Sequence, residues 1–187
     1  MVLYLKLFSF TYLVIHKIMS VILLLIKVVK IKMFLVEYEK RFEKIVSKYL
    51  LNDEMKYFTG LPIESTKISE VNSKYHSILC FSSTKLVTFF ALDEGNDKFN
   101  YTSEKDSLLL RSFSTDFRYL RNGYGKEALR LLPDFVNDNY PFIKEIVLAV
   151  NSKNKPAYSL YVQSNFIDNN TRVDGKKGEL IVLSYKM

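Results

Sequence analysis

A glycine-containing turn, Arg121-Asn122-Gly123-Tyr124-Gly125-Lys126, has the residue types that bind a diphosphate. It lies between an apolar segment and an amphipathic one, so we expect it to join a strand to a helix. A helix start presents unpaired main-chain N–H groups and the positive end of the helix dipole. Glycine lets an anion approach the backbone closely, and Arg121 and Lys126 add positive charge on both sides. The turn therefore predicts a pyrophosphate-binding site.

Other nucleotide-binding patterns fit this turn less well. Gly123, Gly125 and Ala128 match the Gly-x-Gly-x-x-Ala fingerprint of dinucleotide-binding domains. That fingerprint normally follows the first strand of its domain, and an acidic residue normally ends the next strand. Here the turn lies late in the chain, and Asn151 follows the next predicted strand. A P-loop is excluded because the chain has no Gly-Lys-Ser/Thr sequence. The alternative is a tight turn that binds no ligand.

A second segment makes the pattern more specific, because it resembles the GNAT superfamily of N-acetyltransferases. Members carry a Gln/Arg-x-x-Gly-x-Gly/Ala turn after the fourth strand and Asn-x-x-Ala-x-x-Leu-Tyr-x-x-x-Gly-Phe after the fifth. This chain has Asn154, Ala157, Leu160, Tyr161 and Phe166 in that order and spacing. Both patterns occur in the order in which the family has them.

The resemblance covers about residues 33–187 and includes two departures. Leu120 occupies the Gln/Arg position, so Arg121 falls one place late and a side-chain contact is lost. Asn165 replaces the family's glycine, which a helix end tolerates because asparagine also adopts the left-handed conformation.

The resemblance implies an α/β fold, in which helices flank a splayed mixed (α+β) sheet that holds acetyl-CoA between its fourth and fifth strands. The implied function is transfer of the acetyl group to a primary amine on a small molecule or peptide. The main chain of Phe113, Ser114 and Thr115 would contact the pantetheine arm. The main chain of Arg121, Asn122, Gly123, Tyr124, Gly125 and Lys126 would wrap the pyrophosphate, and Asn154 would hold the cofactor arm or its loop.

The resemblance also implies that Tyr161 is the general acid toward the departing CoA thiolate, because a phenol is protonated at neutral pH. Tyr158 is the rival for this role, and a core aromatic at helical spacing is the alternative for Tyr161. No residue presents itself as the general base. Asp116, Glu104 and Glu179 are weak candidates that fit solvated surface charges better, and a water molecule is the alternative base.

The acceptor is not predicted. The loop Phe58-Thr59-Gly60-Leu61-Pro62 lies where this family lines its acceptor site, but its residues name no substrate. Two other functions stay open: an acyl-CoA-binding module without catalysis, and a membrane-tethered interaction protein. The sequence does not predict an oligomeric state.

The composition excludes several function classes. The chain has 187 residues, of which 48% are apolar and 25% charged, as in a soluble globular domain. One cysteine, Cys80, and two histidines make a disulfide impossible within the chain and a metal site improbable. The first 32 residues hold five lysines, so 22 basic and 20 acidic residues remain for the rest. Such a near-neutral domain is a poor nucleic-acid binder.

Residues 1–32 form an apolar and basic leader that differs from the remainder. The window 7–26 is long enough to span a bilayer as a helix, but Lys17 lies near its middle and weakens insertion. If the window inserts, Lys27, Lys30 and Lys32 would keep the following domain on the cytoplasmic side. The alternatives are an upstream extension before a start near Met33, and packing on the domain. A cytoplasmic N-acetyltransferase domain over residues 33–187 is expected in each case.

Hydrophobic periodicity predicts the elements that position these residues. The predicted strands are residues 31–38, 75–81, 86–92, 107–115, 143–150, 166–173 and 179–186. The predicted helices begin at Glu39, near Pro62, at Gly123 and at Pro156, and the last two end at about Asp138 and Ser164. The short turns predict antiparallel pairing for the second and third strands and for the last two.

Overall fold

The computed structural model of the protein describes residues 33–187. Seven strands form one sheet in the order β1-β2-β3-β4-β5-β7-β6. The strands are β1 (Met33–Glu37), β2 (Tyr75–Ser82), β3 (Lys85–Asp93), β4 (Ser107–Thr115), β5 (Glu145–Asn151), β6 (Ile167–Gly175) and β7 (Gly178–Lys186). All neighbouring pairs are antiparallel except β4 and β5, which are parallel. The predicted mixed sheet is confirmed.

Helices cover both faces of the sheet. They are α1 (Glu43–Val46), α2 (Asp53–Phe58), α3 (Pro62–Ser69), α4 (Tyr124–Asn139) and α5 (Lys155–Val162), with 3-10 turns at Lys40–Phe42, Asn96–Asn100 and Phe117–Tyr119. Ile78 packs in the core with Leu132 of α4, whereas its neighbour Leu79 packs with Val46 of α1. Because successive residues of a strand point to opposite faces, the two helices lie on opposite sides of β2.

The first predicted helix is shorter than expected. Val46 and Tyr49 are buried as predicted, but Ile45 and Leu50 are 39% and 48% exposed. The main chain of Leu50 is bound elsewhere, because its N–H donates to Asp116 and its carbonyl accepts from Phe117. This pairing with the segment after β4 prevents a continuous helix.

Helix α2 was not predicted. Asn52 caps its N-terminus by accepting a 2.9 Å hydrogen bond from the Met55 N–H, and Asp53 and Glu54 occupy its first turn. The cap and the acidic first turn are both visible in the sequence and are typical helix-start signals.

The later elements agree with their predictions. The β2–β3 and β6–β7 pairs are antiparallel, and helix α4 runs through Pro133. Asn165 has φ 67°, the left-handed conformation expected after α5. The predictions for residues 1–32 and for the membrane window within them lie outside the described residues. Within residues 33–187, no helix has the length and apolar character that crossing a membrane requires.

Candidate active site

The two parallel strands separate after a short paired stretch. Strands β4 and β5 are in register only over Ser107–Leu109 and Glu145–Val147. Beyond this, β4 continues to pair with β3, and β5 continues to pair with β7. The facing edges of residues 110–115 and 148–151 are therefore unpaired, and a gap opens between them.

A bulge in β4 lies where the gap begins. The β3–β4 register shifts between Phe89 and Ala91, and Ser112 on the facing strand has φ 53°. A positive φ is uncommon for a residue other than glycine, and an extra residue in one strand bends it and increases its twist. The bulge therefore gives a physical reason for β4 to turn away from β5.

A cleft of about 860 Å³ occupies this gap. Its walls come from the ends of β4 and β5, from α2 and α5, and from the turn between β6 and β7. The predicted site residues that line it are Phe113, Ser114, Thr115, Arg121, Asn154 and Tyr161. Asn122, Gly123, Tyr124, Gly125 and Lys126 follow at the start of α4 and are not part of its lining.

The glycine turn forms the start of α4, as predicted. Gly123 is the residue before the helix and has φ 77°, and Arg121 also has a positive φ of 61°. The side-chain amide of Asn122 donates to the carbonyls of Tyr119 and Leu120, each at 3.1 Å, which fixes the turn. The main-chain N–H groups of residues 121–126 donate to no other residue within 33–187. They are available to an anion.

Gly125 lets the start of α4 approach the cleft wall closely. A Cβ atom at this position would lie 3.2 Å from Thr115 Oγ1 and 3.3 Å from Leu160 Cδ2. The first distance is to the end of β4, and the second is to α5. A side chain at this position would therefore require Thr115 and Leu160 to shift.

The main-chain groups of β4 alternate between strand β3 and the gap. The Asp116 N–H donates to the Val87 carbonyl at 2.9 Å, and Ser114 is the residue opposite Phe89. The Ser114 carbonyl also accepts a 2.7 Å hydrogen bond from the Tyr49 hydroxyl. Since alternate residues of a strand point their N–H and C=O groups to opposite sides, those of Thr115 and Phe113 face the gap.

Tyr161 lies in the wall of the cleft and is 7% exposed. Its ring makes edge contacts with Phe113 and Phe166, with ring centroids 5.8 Å apart in each case. Its hydroxyl forms no hydrogen bond with any other described residue. Burial raises the pKa of Tyr161, so the phenol stays protonated well above neutral pH.

The rival tyrosine has a different environment. The Tyr158 hydroxyl donates to Asp168 of β6 at 3.2 Å, and Tyr158 is not part of the cleft lining. Asn154, in contrast, lines the cleft and caps α5, because its Oδ1 accepts from the Ala157 N–H at 3.2 Å. This cap positions the helix that carries Tyr161.

None of the three acids considered as a base lines the cleft. Asp116 is fully buried and accepts hydrogen bonds from Arg118 at 2.7 and 2.9 Å. Burial alone would raise the pKa of Asp116, but the bonds from Arg118 and the Leu50 N–H lower it. Glu104 accepts from the Asp106 N–H, and Glu179 is exposed on β7. Asp116 and Glu104 therefore accept structural hydrogen bonds, and Glu179 is a solvated surface charge.

Glu54 is the one carboxylate, among residues 33–187, that lines the cleft. It lies on α2, is exposed, and has no ion pair or hydrogen bond with another described residue. Sequence reasoning missed it because α2 itself was not predicted. The described residues contain no group of three or more His, Cys, Asp or Glu side chains that could hold a metal ion.

Comparisons with known proteins identify the family. No protein-family model matches the chain. A curated relative, the uncharacterized N-acetyltransferase YbbJ of Bacillus subtilis (strain 168), is 32% identical over 141 residues, which are 75% of this chain and 88% of the relative.

Solved structures share the fold at low identity. Aminoglycoside acetyltransferase AAC(6')-Ib in complex with coenzyme A has a TM-score of 0.68 and 11% identity, over 83% of this chain and 95% of its own. Spermidine N-acetyltransferase from Vibrio cholerae, in complex with CoA and spermine, has a TM-score of 0.62 and 11% identity, over 82% and 95%. The identity to the curated relative, and the share of the chain that it covers, show that the chain belongs to the GNAT superfamily of N-acetyltransferases.

Proposed function

We propose that this protein transfers the acetyl group of acetyl-CoA to the amine of an acceptor. The observation that carries the proposal is the gap between β4 and β5, which has Tyr161 in its wall and free N–H groups of the α4 turn beyond its end. Solved neighbours with the same fold contain CoA, which is the ligand that such a gap and turn suit.

The cofactor contacts in this proposal follow the unpaired groups. Thr115 and Phe113 supply main-chain hydrogen bonds to the amides of the pantetheine arm, which extends along the open edge of β4. The N–H groups of residues 121–126 bind the pyrophosphate at the positive end of α4, and Arg121 adds charge. Since Ser114 directs its carbonyl to Tyr49, its contribution is the shape of the wall. Asn154 orders the start of α5.

The chemistry requires one proton to leave and one to be supplied. The acceptor nitrogen attacks the thioester carbonyl carbon, the C–S bond breaks, and the amide forms. Tyr161 donates its phenolic proton, or a hydrogen bond, to the departing CoA sulfur. The nitrogen loses its proton to water, and the phenol regains one from solvent.

Two measurements on the full-length protein test this function. Calorimetry is expected to show saturable binding of acetyl-CoA, and release of free CoA thiol is expected in the presence of a suitable amine. Binding without thiol release, over a broad set of amines, would favour an acyl-CoA-binding module without catalysis. Absence of acetyl-CoA binding would refute both functions.

A further inference from the structure

The charges on the cleft wall bear on the chemistry of the acceptor. Four cationic side chains line the cleft, Arg111, Arg121, Lys176 and Lys177, against the single carboxylate of Glu54. A site for a polycation would be expected to have the opposite balance, because like charges disfavour binding.

Not all of these cations are free to bind an acceptor. Arg111 already contacts two aspartates, Asp93 at 2.8 Å and Asp97 at 3.0 Å. Arg121 belongs to the turn that we assign to the pyrophosphate. Lys177 donates to the Tyr57 carbonyl and lies over the Tyr57 ring.

Two opposite charges remain. Lys176 and Glu54 are both exposed, and neither has an ion pair or hydrogen bond with another residue in 33–187. Lys176 lies on the β6–β7 turn and Glu54 on α2, and the contact between Lys177 and Tyr57 joins these two elements. One free carboxylate and one free ammonium group therefore lie on adjoining walls.

A smaller side pocket adjoins the main cleft. It has a volume of about 280 Å³ and shares Phe58, Thr59 and Arg111 with the main cleft. Pockets for drug-sized ligands usually measure about 300–1,000 Å³, so this one suits a smaller molecule. The Thr59 hydroxyl is buried and has no hydrogen-bond partner among the described residues. A buried polar atom of this kind is normally satisfied, and a bound ligand would satisfy it.

We propose that the acceptor is a small zwitterionic amine, such as an amino acid, whose ammonium group is attracted by Glu54 and whose carboxylate is bound by Lys176. The inference rests on the proposed acetyl transfer. It separates this chain from two of its solved neighbours, whose names refer to an aminoglycoside and to spermidine, both polyamines.

The test compares acceptors that differ only in the carboxylate. Amino acids, including β-alanine, are assayed against their carboxamides, with spermidine and kanamycin as polycations, and kcat/KM is measured from CoA release by the full-length protein. We expect at least one amino acid to exceed its carboxamide by about tenfold and to exceed both polycations. The carboxamide amine is less basic and hence more often unprotonated, so such a preference must come from the carboxylate.

Variants that reverse or remove one charge identify the residue responsible. Lys176→Glu is expected to remove the preference for the carboxylate, and Glu54→Gln is expected to lower kcat/KM for the amino acid and its carboxamide alike. Lys67→Glu is the matched control, since Lys67 is exposed on α3 and does not line the cleft. The preference of Lys67→Glu for the amino acid over its carboxamide should equal that of the wild type.

The outcomes distinguish this inference from the proposed function. If acetyl-CoA binds, but a polycation is the best acceptor or no zwitterion is acetylated, the acceptor class is wrong. A carboxylate preference that survives in Lys176→Glu would also overturn the assignment. If acetyl-CoA does not bind at all, the proposed function itself fails.

Discussion

Tyr161 combines a buried ring with a hydroxyl that no described residue engages. A catalytic acid needs both properties, because packing fixes its position while the free hydroxyl can reach the leaving group. The ring is held by Phe113 and Phe166. Tyr158 has the same chemistry, but its hydroxyl is bound to Asp168. The two tyrosines therefore differ in whether the hydroxyl is already bound by another described residue.

Replacing Tyr161 by Phe is expected to lower kcat by about a hundredfold, the usual size of a general-acid effect. The Kd for acetyl-CoA and the melting temperature should change little, because the hydroxyl has no partner within residues 33–187. Steady-state kinetics and calorimetry measure both quantities. Tyr158→Phe is the control and should retain the wild-type kcat. Wild-type turnover by Tyr161→Phe would rule out the assigned role.

The two glycines of the turn should respond differently to substitution. Gly125→Val would place atoms against Thr115 and Leu160, where even a Cβ is tight, so the Kd for acetyl-CoA should rise at least about tenfold. Gly123→Ala has open space but a strained φ of 77°, and should lower the free energy of unfolding by about 1 kcal/mol.

Gly178→Ala is the control for these variants. It carries similar backbone strain at φ 105°, in the β6–β7 turn. It should lose comparable stability while binding acetyl-CoA normally. Urea unfolding and calorimetry give the two quantities. An unchanged Kd in Gly125→Val would show that the start of α4 does not contribute to cofactor binding.

At the scale of elements, a histidine contacts a carboxylate of the first strand and one just after the third, at one end of these three neighbouring strands. His76 of β2 lies 2.8 Å from Glu37 of β1 and 2.8 Å from Glu94, which follows β3. The hydrogen bond to Glu37 raises the pKa of His76, burial opposes this, and Glu94 raises it further, so the net change is upward. The charged histidine thus links three strands that the backbone pairing already aligns.

The pH dependence of stability tests this link. A group whose pKa is higher in the folded state than in the unfolded state stabilises the fold. This stabilisation is fully present below the unfolded pKa, here about 6.5, and is lost as pH rises through the folded pKa. The unfolding free energy should therefore fall between about pH 6 and the raised pKa. In His76→Gln this decline should be smaller. Parallel curves for the two proteins, from urea unfolding at several pH values, would contradict the link.

At the scale of the whole molecule, the buried carboxylate of Asp116 and its half-exposed partner Arg118 tie distant parts of the chain together. Asp116 binds Arg118 and the Leu50 N–H, and Arg118 also donates to the Lys48 carbonyl at 2.9 Å. The segment before α2 is thereby fastened to the end of β4. Since α2 carries Glu54, this attachment also positions the wall of the cleft that α2 forms.

Asp116→Asn is expected to lower the free energy of unfolding by about 2 kcal/mol. The contribution is fully present above the unfolded pKa of about 3.9 and is lost as pH falls through the lowered folded pKa. Asp134→Asn, which alters an exposed carboxylate on α4, should change stability by less than about 0.5 kcal/mol. The pH profile of kcat should be the same in both variants, because Asp116 does not line the cleft. If the decline of kcat at low pH disappeared in Asp116→Asn, Asp116 would be restored as the base.

The sequence by itself determined the succession of the strands and later helices along the chain, the helix start at Gly123 and the left-handed Asn165. These features depend on the local periodicity of apolar residues and on residues with unusual backbone preferences. Both signals are local, because they lie within a short stretch of the chain. The segment between Glu39 and Phe58 was less predictable. Its helix is interrupted where Leu50 pairs with Asp116 and Phe117, and such a contact between distant residues leaves no local signal.

Only the tertiary structure decided which side chains share the cleft. The separation of β4 from β5, the hydrogen bond of Tyr158 to Asp168, and the presence of Glu54 and Lys176 in one cleft all depend on strand order in the sheet and on packing between remote segments. The physical reason is that a residue's neighbours along the chain fix its conformation, whereas its chemical partners are fixed by the elements that pack around it. The glycine turn could thus be recognised from its residues alone, but the charged residues that line the cleft could not.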